Sequence, residues 1–272
     1  MKQALRAAAW LAIAAAAVTL VHCAGGGAAG SSCTGSCQDA TTRLEIADIQ
    51  RVIAQAVNEA QGQGTAVTIA VVDRSGNVLA VYRMNGARAL VTISSGRGVT
   101  GGLENLAVPG ELAAVAKAIT GAYLSSEGDA FSTRTASQIV QEHFDPGENG
   151  TPGGPLFGVQ FSQLPCSDLA NRFSAGTGAG PHRSPLGLSA DPGGFPLYRN
   201  GVLIGGVGVA ADDTYGLDPD INDRDHNLDE LIAWAGTYGY SAPADRRADH
   251  IAVNGLSLRY SDIGFSDLAR DP

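Results

Sequence analysis

Four side chains in this sequence could together hold an anionic ligand that is partly apolar. Arg83 and Met84 end an apolar strand pattern, where a guanidinium can bind a carboxylate and a thioether can act as a soft metal ligand. Lys117 lies in an otherwise apolar helix pattern, and His143 closes another helix pattern beside Phe144. This set predicts a site for a ligand that carries carboxylates or a metal.

Each of these residues also has a structural interpretation. A methionine in a hairpin commonly fills the core, and a lysine can extend along a helix edge with its amine in solvent. His143 would be a cation favoured by the dipole at a helix C-terminus, while His182 and His226 fall in polar segments typical of solvent. For Lys117, a catalytic role as base or Schiff-base amine is a further option.

An acidic loop of twelve residues invites comparison with a calcium-binding EF-hand loop. Its oxygen-bearing candidates at positions one, three, five and twelve are Asp218, Asp220, Asn222 and Asp229. The loop departs from the pattern at position six, where Asp223 replaces the usual glycine. The alternative is a solvated loop before a helix that Asn227 or Asp225 caps.

Composition narrows the classes of function. The chain has 272 residues with a formal net charge of −9, so nucleic acid is excluded as a partner because an acidic surface repels phosphate. No Gly-x-Ser-x-Gly elbow and no His-Glu-x-x-His motif occurs, so no catalytic residue is assigned and enzymatic activity is left open.

The N-terminus has the pattern of an export signal over residues 1–22. Lys2 and Arg6 precede an apolar stretch that is short for a membrane span. Residues 20–23 (LVHC) resemble a lipobox, in which Cys23 would be acylated and would form the sole membrane attachment. Ordinary cleavage near residues 28–30 is the alternative, and both predict an exported protein, periplasmic or held as a lipoprotein in the outer envelope.

An exported protein can form disulfides. Cys33 and Cys37 could close a small ring, or one of them could pair with Cys166 and leave an odd thiol. Residues 23–41 are rich in glycine, alanine and serine and predict a flexible linker.

Hydrophobic periodicity predicts an α+β domain over residues 42–272. A helix over 44–61 is introduced by a capping box at 42–45. The remaining elements are a hairpin over 67–81, helices from Pro109 to Tyr123, over 134–143 and over 228–234, a second hairpin over 195–210 around Asn200-Gly201, and a strand over 251–260. Residues 145–192 are predicted to be a long Gly/Pro-rich surface insertion, and 240–272 a C-terminal extension.

Glycines at 205, 206 and 208 fall inside the second hairpin. They predict a close backbone approach, made either by a bound cofactor or by a helix packed tightly on the sheet. Tight helix packing is the favoured interpretation.

The ordered motifs resemble those of the GlcG/HbpS-like family, also called the haem-degrading or DUF336 family. The matching segments are 69–73 (IAVVD), 83–87 (RMNGA), 117–121 (KAITG), 193–196 (GGFP), 201–209 (GVLIGGVGV) and 229–230 (DE). Asn85 departs from the family pattern, which has aspartate there. The insertion and the C-terminal extension lie outside the family core, and the chain resembles the longer exported members.

The resemblance implies a profilin-like fold, with an antiparallel sheet and helices packed on its faces. It also implies non-covalent binding of haem or a related tetrapyrrole, for storage, sensing or degradation. Arg83 or Lys117 would then lie near the propionates, with His143 or Met84 as axial ligand. The alternative is a non-catalytic homo-oligomeric envelope module, stabilised by calcium, that serves a partner enzyme or cytochrome.

Overall fold

The computed structural model describes residues 43–96, 100–140, 163, 184–218, 220, 223–253 and 255–272. Several predictions fall outside this part of the chain. They are the export signal, the linker, most of the insertion, and the residues Cys23, Cys33, Cys37, Cys166, His143, His182 and Asn222.

A four-stranded antiparallel sheet forms the centre of the fold, in the order β2-β1-β6-β5. Its strands are β1 (Thr68–Asp73), β2 (Val78–Arg83), β5 (Gly194–Arg199) and β6 (Val202–Ala210). In the first turn, the Asp73 carboxylate accepts hydrogen bonds from the backbone of Ser75 and Asn77. The second turn has positive φ at Asn200 (50°) and Gly201 (78°), as an Asn-Gly hairpin requires. Both predicted hairpins are confirmed.

Helices cover both faces of this sheet. On one face, α1 (Ile46–Gly62) and α4 (Leu228–Gly236) contribute to the larger hydrophobic core with Ile69 and Val71 of β1. On the other face, α2 (Gly110–Tyr123) packs against Ala70 and Val72. Because side chains alternate along a strand, β1 supplies both cores. The α+β, profilin-like architecture is confirmed.

Smaller elements complete the described chain. A second sheet contains β3 (Leu90–Ile93), β4 (Ala107–Pro109) and β7 (Thr214–Tyr215), in the order β4-β3-β7. A third helix, α3 (Thr133–Val140), precedes the insertion. In the C-terminal extension, β8 (Ala252–Val253) and β9 (Leu256–Ser257) form a short hairpin. Among the described helices, none combines the length and apolarity needed to cross a bilayer.

Three sequence predictions of local structure are corrected. Helix α1 has Glu45 as its N-cap, where the predicted box over 42–45 had it inside the first turn, and the Asp48 side chain accepts from the Glu45 N–H. Thr42 itself lies outside the described residues. The strand predicted over 251–260 is a hairpin, since Gly255 turns the chain with φ 85°. The described end of the predicted surface insertion is largely buried: the exposed fractions of Leu186 and Ser189 are 2% and 0%.

The glycines of β6 let helix α2 lie directly on the sheet. A Cβ atom at Gly206 would lie 2.2 Å from the Ala118 carbonyl oxygen, and one at Gly208 would lie 2.2 Å from that of Ala114. Backbone atoms of the helix therefore fill the space where side chains would extend. Tight helix packing explains Gly206 and Gly208, as the sequence predicted. At Gly205 the close approach is made by strand β1 instead, since a Cβ there would lie 2.2 Å from the Val72 carbonyl oxygen.

Replacing Gly208 with alanine should destabilise the fold by about 1–3 kcal/mol or more, because the methyl group forces α2 off the sheet. Chemical denaturation, followed by the fluorescence of the buried Trp234, measures this loss. Gly128→Ala is the matched control, since the nearest atom to a Cβ there is 3.6 Å away. Equal stability of the two variants would contradict the packing argument.

Candidate functional site

Lys117 forms a buried ion-pair centre. Its side chain is 0% exposed, and its Nζ donates a 2.9 Å hydrogen bond to the Pro192 carbonyl. The same Nζ lies 2.6 Å from Asp191 Oδ2 and also donates to Asp229 Oδ2. We call Lys117, Asp191 and Asp229 the Lys117 centre.

The Lys117 centre ties together parts of the chain that are distant in sequence. Lys117 comes from α2, Asp191 from the segment before β5, and Asp229 from the first turn of α4. Asp229 Oδ1 accepts a 2.7 Å hydrogen bond from the N–H of Ala211, the residue directly after β6. Both oxygens of Asp229 are therefore engaged by protein donors.

The charge of Lys117 is fixed by its partners. Burial alone would lower the pKa of its amine, but the Asp191 and Asp229 carboxylates outweigh burial and raise this pKa above its ordinary value. The Lys117 amine is buried and engaged by the Pro192 carbonyl and two carboxylates, so it is out of reach of a propionate or a substrate carbonyl in this structure. The interpretation of Lys117 as a side chain extended into solvent is therefore wrong.

A second buried ion-pair centre surrounds Arg134 of α3, whose side chain is 1% exposed. Its Nη1 donates to Asp218 Oδ2 at 2.8 Å and to Asp225 Oδ2 at 2.9 Å. Its Nη2 donates to Glu230 Oε2 at 2.7 Å, and Asp262 Oδ2 lies 3.5 Å from Nη1. We call these five residues the Arg134 centre.

Sequence reasoning missed most of both centres. The sequence pattern predicts Arg134 only as the start of a helix and Asp191 only as part of a surface insertion. A signal was present, because the adjacent acids Asp229 and Glu230 open α4 and serve one centre each. A lone cation in an apolar helix pattern, such as Lys117, is the other signal for a buried pair.

The predicted calcium site is not supported. Asp229 accepts from Lys117 and Ala211, whereas Asp218 accepts from Arg134, so the two candidates belong to different centres. Oxygens of Asp218, Asp223 and Asp225 lie within 4.8 Å of one another. However, Asp218 and Asp225 are already bound to the Arg134 guanidinium, which supplies the positive charge there.

Arg83 lies on the open edge strand β2 with exposed apolar neighbours. Val81 pairs with Ala70 and Val78 with Val72, so both face the α2 side of the sheet. Their exposed fractions are 41% for Val81 and 46% for Val78. Arg83 shares this face, because it is two residues from Val81. We call Val78, Val81 and Arg83 the β2 face.

The polar contacts of Arg83 leave it accessible. Its Nη2 donates a 2.9 Å hydrogen bond to the Ala87 carbonyl, and its Nη1 lies 3.6 Å from Glu111 Oε1 of α2. Both side chains of this ion pair are more than a third exposed. Such pairs contribute about 0–1 kcal/mol, so a ligand carboxylate can replace Glu111 at little cost.

Of the two residues predicted as axial ligands, His143 lies outside the described residues. Met84 is partly buried and packs against the larger core, as its structural interpretation predicted. His226 and His250 are exposed, in the segment before α4 and in a 3-10 turn. The described part of the chain therefore identifies no axial ligand.

Comparison with known proteins places the β2 face in a family segment. Residues 44–95 match a family model described as "Haem degrading protein HbpS-like". This segment contains α1, both strands of the first hairpin and β3. The resemblance to the GlcG/HbpS-like family is thereby confirmed. No curated protein sequence is similar enough to match the chain.

Several solved structures are similar to the chain at 20% sequence identity. A PduOC:haem complex has a TM-score of 0.42, with coverage of 72% of this chain and 94% of that one. Klebsiella pneumoniae protein ORFY of the DUF336 family has a TM-score of 0.42, covering 76% and 97%. HbpS has a TM-score of 0.36, covering 76% and 96%. At these scores the likeness settles neither a ligand nor a site.

Proposed function

We propose that this HbpS-like chain binds haem, or a related tetrapyrrole, non-covalently on the β2 face. The observation that carries the proposal is an exposed apolar strand with an accessible arginine at its end, inside the segment that matches the family model. Haem combines an apolar macrocycle with two propionates, so it requires apolar contact and a cation.

The α2 helix supplies a wall beside the β2 face. Arg83 lies near Glu111 in the first turn of α2, and Tyr123 at the other end of α2 donates a hydrogen bond to the Ser75 carbonyl in the hairpin turn. The helix and strand therefore run side by side, with Val78 and Val81 between these contacts. A planar ligand lying on the two valines would reach Arg83 with its propionates.

The existing ion pairs of the two cations favour Arg83 over Lys117 as the partner of the propionates. Lys117 is already bound to two carboxylates inside the protein, whereas Arg83 has one exposed carboxylate neighbour. A guanidinium can also bind a carboxylate through two parallel hydrogen bonds. The Lys117 centre contributes to the site only through the position of α2.

Titration of the purified protein with hemin tests the proposal. Binding predicts a saturable shift of the Soret band at micromolar hemin, with one equivalent bound per chain. A spectrum equal to that of hemin in buffer, over the whole titration, would contradict it.

Replacing Arg83 with glutamine should weaken hemin binding roughly tenfold, equivalent to about 1.4 kcal/mol, because the propionates lose their cation. The Kd from Soret titration measures the effect. Arg88→Gln is the matched control, since Arg88 also forms an exposed pair, 3.8 Å from Asp213. Equal weakening by both substitutions would show that the effect is general charge and not a contact at Arg83.

A second candidate function is a homo-oligomeric envelope module that binds no haem. The observation that favours it is strand β2, whose outer edge pairs with no other strand in the described residues and whose side chains Leu79 and Tyr82 are exposed. Unpaired apolar edges are prone to associate. Light scattering that shows an oligomer disrupted by Leu79→Lys, together with no Soret shift, would favour this function over haem binding.

A further inference from the structure

The Lys117 centre contains more acid than base. One buried ammonium faces two buried carboxylates, and a third acid, Asp212, lies close enough to act on both. These groups come from every element packed there: α2, the segment before β5, the segment after β6, and α4. In the described residues no second cation forms an ion pair with Asp191 or Asp229.

One carboxylate oxygen in this centre, Asp191 Oδ2, lacks a hydrogen bond. Asp229 has a donor for each oxygen, from Lys117 and Ala211. Asp191 Oδ2 is buried near the Lys117 ammonium but has no hydrogen bond of good geometry. A buried carboxylate oxygen without a hydrogen bond is costly, and a proton bound to the pair reduces its negative charge.

We propose that the Lys117 centre is a proton-binding site, which makes the fold more stable in mildly acidic medium than at neutral pH. The pair of carboxylates takes up one proton in the folded protein that the unfolded chain does not hold. Since the centre joins α2 to α4 and β6, this proton tightens the contact between the two faces of the sheet.

The electrostatics of the pair agree with this geometry. Burial raises the pKa of the Asp229 carboxyl to about 7; Lys117 opposes the shift, while Asp212 and Asp191 add to it. The pKa of Asp191 is also raised, with burial as the first cause. A carboxyl with a raised pKa binds more protons folded than unfolded. Its stabilisation is complete below the ordinary carboxyl range and is lost as the pH rises towards about 7.

The test is the unfolding equilibrium of the protein between pH 5 and pH 8, followed by Trp234 fluorescence in denaturant. One linked proton predicts that the unfolding constant rises by up to about tenfold per pH unit between pH 5 and 7. Asp191→Asn should flatten this slope, because it leaves one carboxylate for one ammonium. Asp213→Asn is the control, since Asp213 is exposed and pairs with Arg88.

A second variant tests the proposal even if Asp191→Asn does not fold. Asp212→Asn removes a partly exposed charge that raises the pKa of both buried acids, so the steep part of the pH dependence should move to lower pH. The proposal is overturned if the wild type shows the same slope as Asp191→Asn. It is equally overturned if Asp212→Asn and Asp213→Asn give the same midpoint.

Discussion

Replacing Lys117 with methionine is expected to lower the free energy of unfolding by about 3–5 kcal/mol at neutral pH. The substitution keeps the volume of the side chain but leaves Asp191 and Asp229 buried without a cation. Removing one partner of a buried ion pair costs far more than the pair contributes, because the remaining charge is desolvated. Denaturant unfolding at pH 7 measures the loss.

Two controls make the Lys117 result specific. Arg88→Met removes an exposed cation and should change stability by less than about 0.5 kcal/mol. The deficit of Lys117→Met should also shrink at pH 5, where the orphaned carboxyls take up protons. A loss below about 1 kcal/mol at pH 7 would show that the ion pairs are not what joins α2 to α4.

Replacing Arg134 with glutamine should cost a comparable amount, about 3–5 kcal/mol. The amide cannot compensate the carboxylates that converge on this guanidinium, and Arg259 is left as the main nearby cation through its pair with Asp262. Loss of this centre frees α3 from the loop before α4, so local unfolding of both segments is expected first. Hydrogen exchange and denaturant unfolding measure the two effects.

Arg134→Lys distinguishes geometry from charge. A lysine supplies one point charge, whereas Arg134 donates from Nη1 and Nη2 to different acids. We therefore expect lysine to recover less than half of the lost stability. Arg224→Gln is the control, because Arg224 is exposed in the same acidic loop. If Arg134→Lys is as stable as the wild type, the separate hydrogen bonds from Arg134 to Asp218, Asp225 and Glu230 are not what stabilises this centre.

The fold could be predicted from the sequence because its elements depend on local patterns. The apolar run of β1, bounded by turn residues, and the Asn200-Gly201 turn predict the two hairpins from local sequence alone. Glycines of β6 indicated helix packing for the same reason: a backbone approach leaves no room for a side chain. Boundaries were less exact, as Glu45 shows, because several acids near a helix start can cap it.

The two ion-pair centres could not be predicted because their partners are far apart in sequence. Lys117 and Asp229 are 112 residues apart, and Arg134 and Glu230 are 96 residues apart. Composition shows only that the chain is acidic, not which acids are buried. The calcium interpretation of Asp229 failed for this reason: its partner is a lysine that loop spacing cannot reveal.

The β2 face was predicted in part. The sequence singled out Arg83 as an anion partner, and the structure leaves it accessible. The sequence placed Met84 and Lys117 in the same site, but Met84 packs against the larger core and Lys117 is fully buried. The exposure of the β2 face results from the position of β2 at the edge of the sheet. This position depends on the pairing of β1 with β6, which the hairpin sequence itself does not reveal.

Hemin titration of the Val81→Glu and Leu256→Glu variants tests whether haem binds on the β2 face. Both residues are exposed apolar strand residues, at 41% and 37%, but Leu256 belongs to the C-terminal hairpin away from the β2 face. We expect Val81→Glu to weaken hemin binding at least about tenfold, while Leu256→Glu binds hemin as the wild type does. Unchanged affinity of Val81→Glu would contradict a haem site on the β2 face.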